Sequence, residues 1–312
     1  MGRNADFYPL AHRVIPSQLN LLLFQRMKYV QSTLFTFQCL LQGLLIGLFW
    51  LLDWNAAGQA TICGVLLCSV GIPHGANDHL YRQSTTLMGL LAFVGIYLGS
   101  MGAYLAVWWV APTAALLIFF VISLHHFGQS NFENPSVWYL PSLLWGIWIL
   151  AFPVVLHWEE ALGIFGTMVG SKSVDIHISQ AVRWGIATAF TVFYFGALLR
   201  YERQTWTRYA LQWAVVTAWY CFTPLLFGFI MVFCLWHSLQ SLQHQFVYYK
   251  TTQKGTFKQF ILALFPFGLL ALTGFGVYIH FRGFAVGEAF ILLSLITLPH
   301  IVVMHRLYGE FH

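Results

Sequence analysis

Long apolar runs, broken by short charged or turn-rich segments, recur along nearly the whole chain. Read between those breaks they predict ten helices, over about 33–52, 56–74, 86–110, 112–127, 137–157, 181–200, 208–222, 224–241, 259–280 and 284–304. A membrane crossing needs about 20 mostly apolar residues, and most of these runs supply them. The briefest breaks are APT at 111–113 and FTP at 222–224, so those neighbours could each join into one kinked element. Ahead of the first run, LNLLLFQRMKYV from Leu19 mixes apolar and basic residues in the manner of an interfacial helix. The first 32 residues hold no apolar core with a small-residue cleavage site, so no signal peptide is expected. The reading is therefore all-α, a polytopic transmembrane bundle. It has an N-terminal cytoplasmic segment over 1–32, one transmembrane domain over 33–305 and a short tail over 306–312.

Composition agrees with that class. Of 312 residues, 59% are hydrophobic and 8% charged, with a mean hydropathy of +0.70, far from the soluble balance of roughly one quarter charged. Positive charge orients the bundle. With ten helices, one side receives Arg3, Arg13, Arg26, Lys28, Arg82, Arg200, Arg203, Arg208, Lys250, Lys254, Lys258 and Arg306, and the other only Lys172, Arg183 and Arg282. Cytoplasmic loops carry the Lys and Arg excess, which places both termini in the cytoplasm. The net charge of +5 is then a signal of topology and of attraction to anionic membrane lipids, and no argument for nucleic acid. All five cysteines sit inside apolar runs, where they read as packing residues.

The chemistry lies in the histidines. The second, fourth, eighth and tenth predicted helices end at Pro73-His74, His125-His126, Trp236-His237 and Pro299-His300. All four point the same way, so four histidine sites share one membrane depth. A single histidine at a helix end is ordinarily a cap or an interfacial residue; four at matched depth point to a shared metal or cofactor site. Adjacent residues diverge by about 100° on a helix, so only one of His125 and His126 faces inward; His126 is the choice and His125 a supporting neighbour. His244 lies seven residues beyond His237, roughly 10 Å along the axis, which favours His237. His79 and His305 fall five residues past their Pro-His histidines, on another face, and read as organisers of the site's mouth. IPHGANDHLYR at 72–82 echoes LPHIVVMHRLY at 298–308, as though both segments solve one geometric problem.

The expected ligands are thus His74, His126, His237 and His300. A neutral four-imidazole set that leaves positions open for dioxygen favours non-haem Fe(II) over zinc. Polar neighbours able to fix the imidazole tautomers are Asp78, Asn77, Gln129 and Asn131; Asp78 can equally be a plain partner of Arg82.

PHGANDH resembles the PHG-x-x-DH signature of the Brp/Blh family of membrane carotenoid oxygenases. HHFGQSN is similar to that family's second histidine motif, and WHSLQSLQH falls where its third cluster lies. The resemblance spans 72–305 in the family's order. It implies a multi-spanning protein of a bacterial or archaeal plasma membrane that binds iron through His74, His126 and His237. It also implies cleavage of beta-carotene at its central double bond with O2 to give retinal, a product that a rhodopsin could accept. Two departures stand out: Ser241 occupies the place of a further histidine, leaving His300, or His244 on a bent helix, as fourth ligand, or else a degraded metal site, and Gln129, Ser130 and Asn131 stand where an acidic residue is expected. Two other readings of the histidines remain, a haem held for electron transfer and a metal-free proton or solute pathway.

Overall fold

The computed structural model describes residues 17–310 except 53, 82–85, 133, 135, 172–176 and 284, with side chains from Thr33 to Gly309. The N-terminal residues 1–16, Arg82, Lys172 and the last two residues, which entered the charge argument and the domain division, lie outside the described residues. Among the described residues every regular element is helical. The helices are α1 Ser17–Leu51, α2 Ala56–Leu66, α3 Ile72–Ala76, α4 Leu87–Val110, α5 Pro112–Phe132, α6 Leu140–Leu156, α7 Trp158–Val169, α8 Gln180–Tyr201, α9 Trp206–Phe222, α10 Leu225–Val232, α11 Leu239–Thr252, α12 Phe257–Arg282 and α13 Val286–Glu310.

Each of the ten expected runs is helical. Among the described residues eight helical rods are long and apolar enough to cross a membrane, or nine if the pair α6 and α7, bent by 103° at His157, counts as one. The two expected runs outside the eight are α6 and α9, which have 17 residues each, the lower limit for a span. The segment expected as a separate interfacial helix is continuous with the first span, since α1 runs unbroken from Ser17 to Leu51.

Local sequence explains the ends. Asn55, Thr86 and Ser179 accept backbone N–H bonds from Gly58, Gly89 and Val182 and so start α2, α4 and α8, and Thr256 with Gln259 forms a capping box on α12. Two stretches depart from α geometry. Leu67–Gly71, between α2 and α3, and Phe233–Ser238, between α10 and α11, are π-helical turns. Each π turn inserts one extra residue and so rotates the face that follows it. The two turns touch, because a methyl on Gly71 would stand 3.1 Å from Cys234 Sγ and 3.2 Å from Phe233.

The rod α10–α11 is the axis of the bundle, 78% buried over its apolar window, whereas α4 is 6% buried and gives its surface to lipid. Aromatic side chains fill the core around that axis, with Trp145, Trp219, Trp236, Tyr194 and Tyr220 fully enclosed. From α1, Gln38 donates to the carbonyls of Leu235 and Trp236 at 2.9 and 3.2 Å, satisfying groups inside the second π turn.

Helices α5 and α6 meet backbone to backbone. An added Cβ on Gly128 would lie 1.7 Å from the Ser142 carbonyl oxygen, and one on Gly146 1.8 Å from that of Leu124. Small residues at such points let membrane helices approach closely, and here they fix the height and rotation of α5, which carries His126. Gly128→Ala is expected to lower stability by at least about 2 kcal/mol through forced separation of the two helices, to be measured as a fall in thermal unfolding temperature in detergent; Gly43→Ala, with open space around it, serves as the unaffected control.

Candidate metal centre and adjoining cavity

Four imidazoles converge in the interior. His74 sits on α3 just after the first π turn, His126 near the end of α5, His237 within the second π turn, and His300 on α13 directly after Pro299. Their ring centres are 4.8 Å apart for His126 and His237, 4.9 Å for His126 and His300, 5.1 Å for His74 and His300, and 5.4 Å for His74 and His237. All four are buried. Phe127 stacks on His237 at 4.1 Å, and Phe233 stands edge-on to His74 at 5.4 Å.

Three of the rings are anchored through Nδ1. His74 Nδ1 contacts the Gly71 carbonyl at the end of the first π turn. His300 Nδ1 lies 2.8 Å from Asp78 Oδ1, and Tyr97 donates to the other carboxylate oxygen at 3.0 Å. His237 Nδ1 is 3.0 Å from Ser130 Oγ, whose own hydrogen goes to the Phe127 carbonyl at 3.1 Å. In each case the partner is an acceptor, so the proton resides on Nδ1 and the Nε2 lone pair is left available. A metal-binding histidine is ordinarily held in this way.

The other nitrogens test whether an ion fits. Nε2 of His237, Nε2 of His300 and both nitrogens of His126 are buried with no hydrogen-bond partner. Orphaned polar atoms in a membrane interior are costly, and a cation between the rings would satisfy them. An ion bound at about 2.1 Å lies about 3.2 Å from each ring centre, which sets neighbouring centres about 4.6–5.3 Å apart for angles from 90° to tetrahedral. The measured separations sit in or beside that interval. As the side chains stand, no group of three or more His, Cys, Asp or Glu among the described residues is arranged to hold a metal ion; for one ion to be shared, the rings would have to turn their Nε2 atoms to a common point.

The structure separates the remaining candidates. His244 lies outside the ring cluster, with Nδ1 3.0 Å from the Tyr308 hydroxyl, so of the two candidates for a fourth position it is His300 that joins the cluster. Ser241 is buried, with Gln245 as a neighbour at 3.5 Å. His125 faces His305 at 5.7 Å between ring centres, His305 also meets Gln129 at 3.2 Å, and His79 stacks on Phe267 at 4.2 Å. His79 and His125 therefore take partners other than the four rings. Asn131 pairs with Gln212, and both side-chain atoms of Asn77 are buried without a hydrogen bond. Sequence reasoning missed Tyr97, Ser130 and the Gly71 carbonyl as anchors. Nothing in a sequence marks a carbonyl, and Ser130 stood out only as a residue in place of an expected acid.

An apolar chamber adjoins the cluster. It shares Phe127, Phe233, Leu293 and Thr297 with a smaller pocket, onto which His74, His126, His237 and His300 all open. An apolar hollow beside a few convergent polar groups is the usual form of a small-molecule site.

Residues 65–308 match the family described as beta-carotene 15,15'-dioxygenase. The chain belongs to that family. It is 24% identical over 280 residues, 83% of this chain and 94% of the relative, to a beta-carotene 15,15'-dioxygenase of an uncultured marine bacterium, 66A03. It is 27% identical over 198 residues, 54% of this chain and 57% of the relative, to the probable beta-carotene 15,15'-dioxygenase Blh of Halobacterium salinarum. No solved structure matches the chain. The four clustered histidines and Asp78 all fall inside the matched region of this dioxygenase family member.

The anchoring carboxylate makes a measurable difference. Asp78→Asn is expected to weaken metal binding by about 10- to 100-fold, read by titrating the detergent-purified protein with Co(II) and following its visible absorption. Unchanged affinity would mean that the carboxylate does not hold the His300 ring.

Proposed function

We propose that this chain is a non-haem Fe(II) dioxygenase that cleaves beta-carotene at its central double bond to give retinal. The observation that carries the reading is the convergence of four buried imidazoles, from four separate parts of the chain, beside an apolar chamber. His74, His126, His237 and His300 would hold the ion. Fe(II) supplies the electronic chemistry by which dioxygen reacts with an otherwise unreactive alkene.

The protein's part is placement. Gly71, Asp78 and Ser130 fix three rings in the tautomer that offers Nε2, while Phe127 and Phe233 flank the cluster with apolar faces that exclude water. The adjoining chamber holds the polyene with its central bond at the rings, which turns a collision of dilute partners into a fixed approach. Each carbon of that bond takes one oxygen atom of O2, and one hydrocarbon becomes two aldehydes with no proton or electron to be supplied. This balance agrees with a site whose nearby carboxylate among the described residues, Asp78, is already engaged by His300 and Tyr97. It also suits an enzyme whose substrate and product dissolve in lipid, in a bacterial or archaeal plasma membrane, with a retinal-binding rhodopsin as a natural acceptor of the product.

The haem alternative fits less well. Two axial imidazoles stand roughly 6 Å or more apart between ring centres, with the macrocycle between them; here the rings approach more closely than that in four pairs.

Expression in cells that make beta-carotene is expected to deplete the pigment and yield retinal, detected by chromatography of the extract. Metal analysis of the purified protein should find one iron per chain. Alanine at His74, His126, His237 or His300 should abolish both iron retention and retinal. Unchanged carotene beside folded, iron-loaded protein would overturn the reading.

A further inference from the structure

The larger chamber extends from the histidines in one direction, and its dimensions and floor have a use. Leu116 on α5 and Phe290 on α13 lie ten residues before His126 and His300 and line its far part, as does Leu225, twelve residues before His237. Ten residues of helix span about 15 Å, so the chamber is a deep arm running along three helices from the cluster.

Helix α7 crosses the far end. It turns by 103° from α6 and so runs across the bundle instead of along it. Ala161, Ile164, Phe165 and Met168, spaced i, i+3, i+4 and i+7, present one face of α7 to the chamber. The helix is held at both ends. At its start the His157 ring lies 2.9 Å from the Tyr220 carbonyl oxygen, and Glu159 pairs with Arg183 of α8. At its finish it presses on α13, where an added Cβ on Gly287 would come 2.3 Å from Thr167 Oγ1 and 3.2 Å from Met168. A crossbar fixed in this way is a rigid floor.

The lining says what can lie there. Among the residues that bound the arm, hydroxyls come from Ser123 and Thr297, and the Thr297 hydroxyl is already given to the Leu293 carbonyl at 2.8 Å. The rest is aliphatic or aromatic apart from the thioether of Met168, which suits a hydrocarbon.

We propose that this chamber is a blind arm receiving one ring-bearing half of the carotenoid, and that the α7 floor, through Ala161, Ile164 and Phe165, selects the bond to be cleaved. The inference rests on the function given above. With the ring stopped against the floor, the length of chain between ring and cluster is fixed, and so is the double bond that reaches the histidines. Raising the floor moves the cleavage point toward the enclosed ring; lowering it moves the point away from that ring. Ala161 borders the arm, so a larger side chain there takes space from whatever lies against the floor.

Two variants and two readouts test this. Binding of all-trans-retinal to the iron-loaded protein, followed by quenching of tryptophan fluorescence, needs no turnover and reports the arm alone; product analysis with beta-carotene reports the bond. Wild type should bind retinal saturably. Ala161→Phe should bind it at least about tenfold more weakly and lose retinal formation by a similar factor, with any residual cleavage off-centre and giving a pair of aldehydes, one shorter and one longer than retinal. Phe165→Ala, which removes volume and cannot overfill the site, should add an off-centre pair of aldehydes, one shorter and one longer than retinal, and weaken retinal binding. Should Ala161→Phe fail to insert, Phe165→Ala decides by itself. Retinal as sole product with unchanged retinal affinity in the variants would overturn the proposal. Saturable retinal binding that the variants weaken, in a wild type that cleaves nothing, would sustain the arm and overturn the enzyme reading instead.

Discussion

An imidazole nitrogen buried away from water must find a partner, and this constraint governs the interior of the protein. Four histidines are enclosed together where a single unpaired one would already be costly. The fold meets part of the demand by giving Nδ1 of His74, His237 and His300 to a carbonyl, a hydroxyl and a carboxylate. What remains, a set of inward nitrogens without partners, is a demand that protein atoms do not meet. Site and fold are therefore one problem, since the orientation that frees Nε2 for an ion is the one that secures Nδ1.

The backbone devices serve this orientation. Two π turns, touching at Gly71 and Cys234, stand immediately before His74 and around His237. Each supplies more than rotation. The first contributes the Gly71 carbonyl that holds His74, and the second is steadied by Gln38 from α1. On the other side Gly128 and Gly146 remove the side chains that would hold α5 away from α6, so the helix bearing His126 and Ser130 is set in height by direct backbone contact.

Much of this could be read in the sequence because it follows from polarity. The apolar runs locate the helices, and the depth at which they end groups His74, His126, His237 and His300. The weak echo between 72–82 and 298–308 has a physical counterpart. Gly75 lies where an added methyl would touch Ile296 at 3.5 Å and the His300 ring at 3.9 Å, and Tyr81 packs beside Met304, Leu307 and Tyr308. The two segments face each other across the site. Other features follow from tertiary approach and leave no local mark. Ideal helix spacing takes no account of a π turn. The expected run ends at 157, so neither α7 nor the bend that leads into it is expected from the sequence, and α9, though helical, is only as long as the shortest spans. Tyr97, nineteen residues from Asp78, meets the carboxylate only once α4 has packed beside the Pro-His segment.

The long reach of these contacts bears on how the protein is made. Asp78 waits 222 positions along the chain for His300, and Gln38 waits 197 for Leu235. A ribosome inserting this chain would leave His74 and His126 in hydrocarbon, their intended neighbours not yet synthesised, through most of translation. On the proposed function, capture of the ion is consequently a late event in biogenesis, possible only after α13 has entered the bilayer.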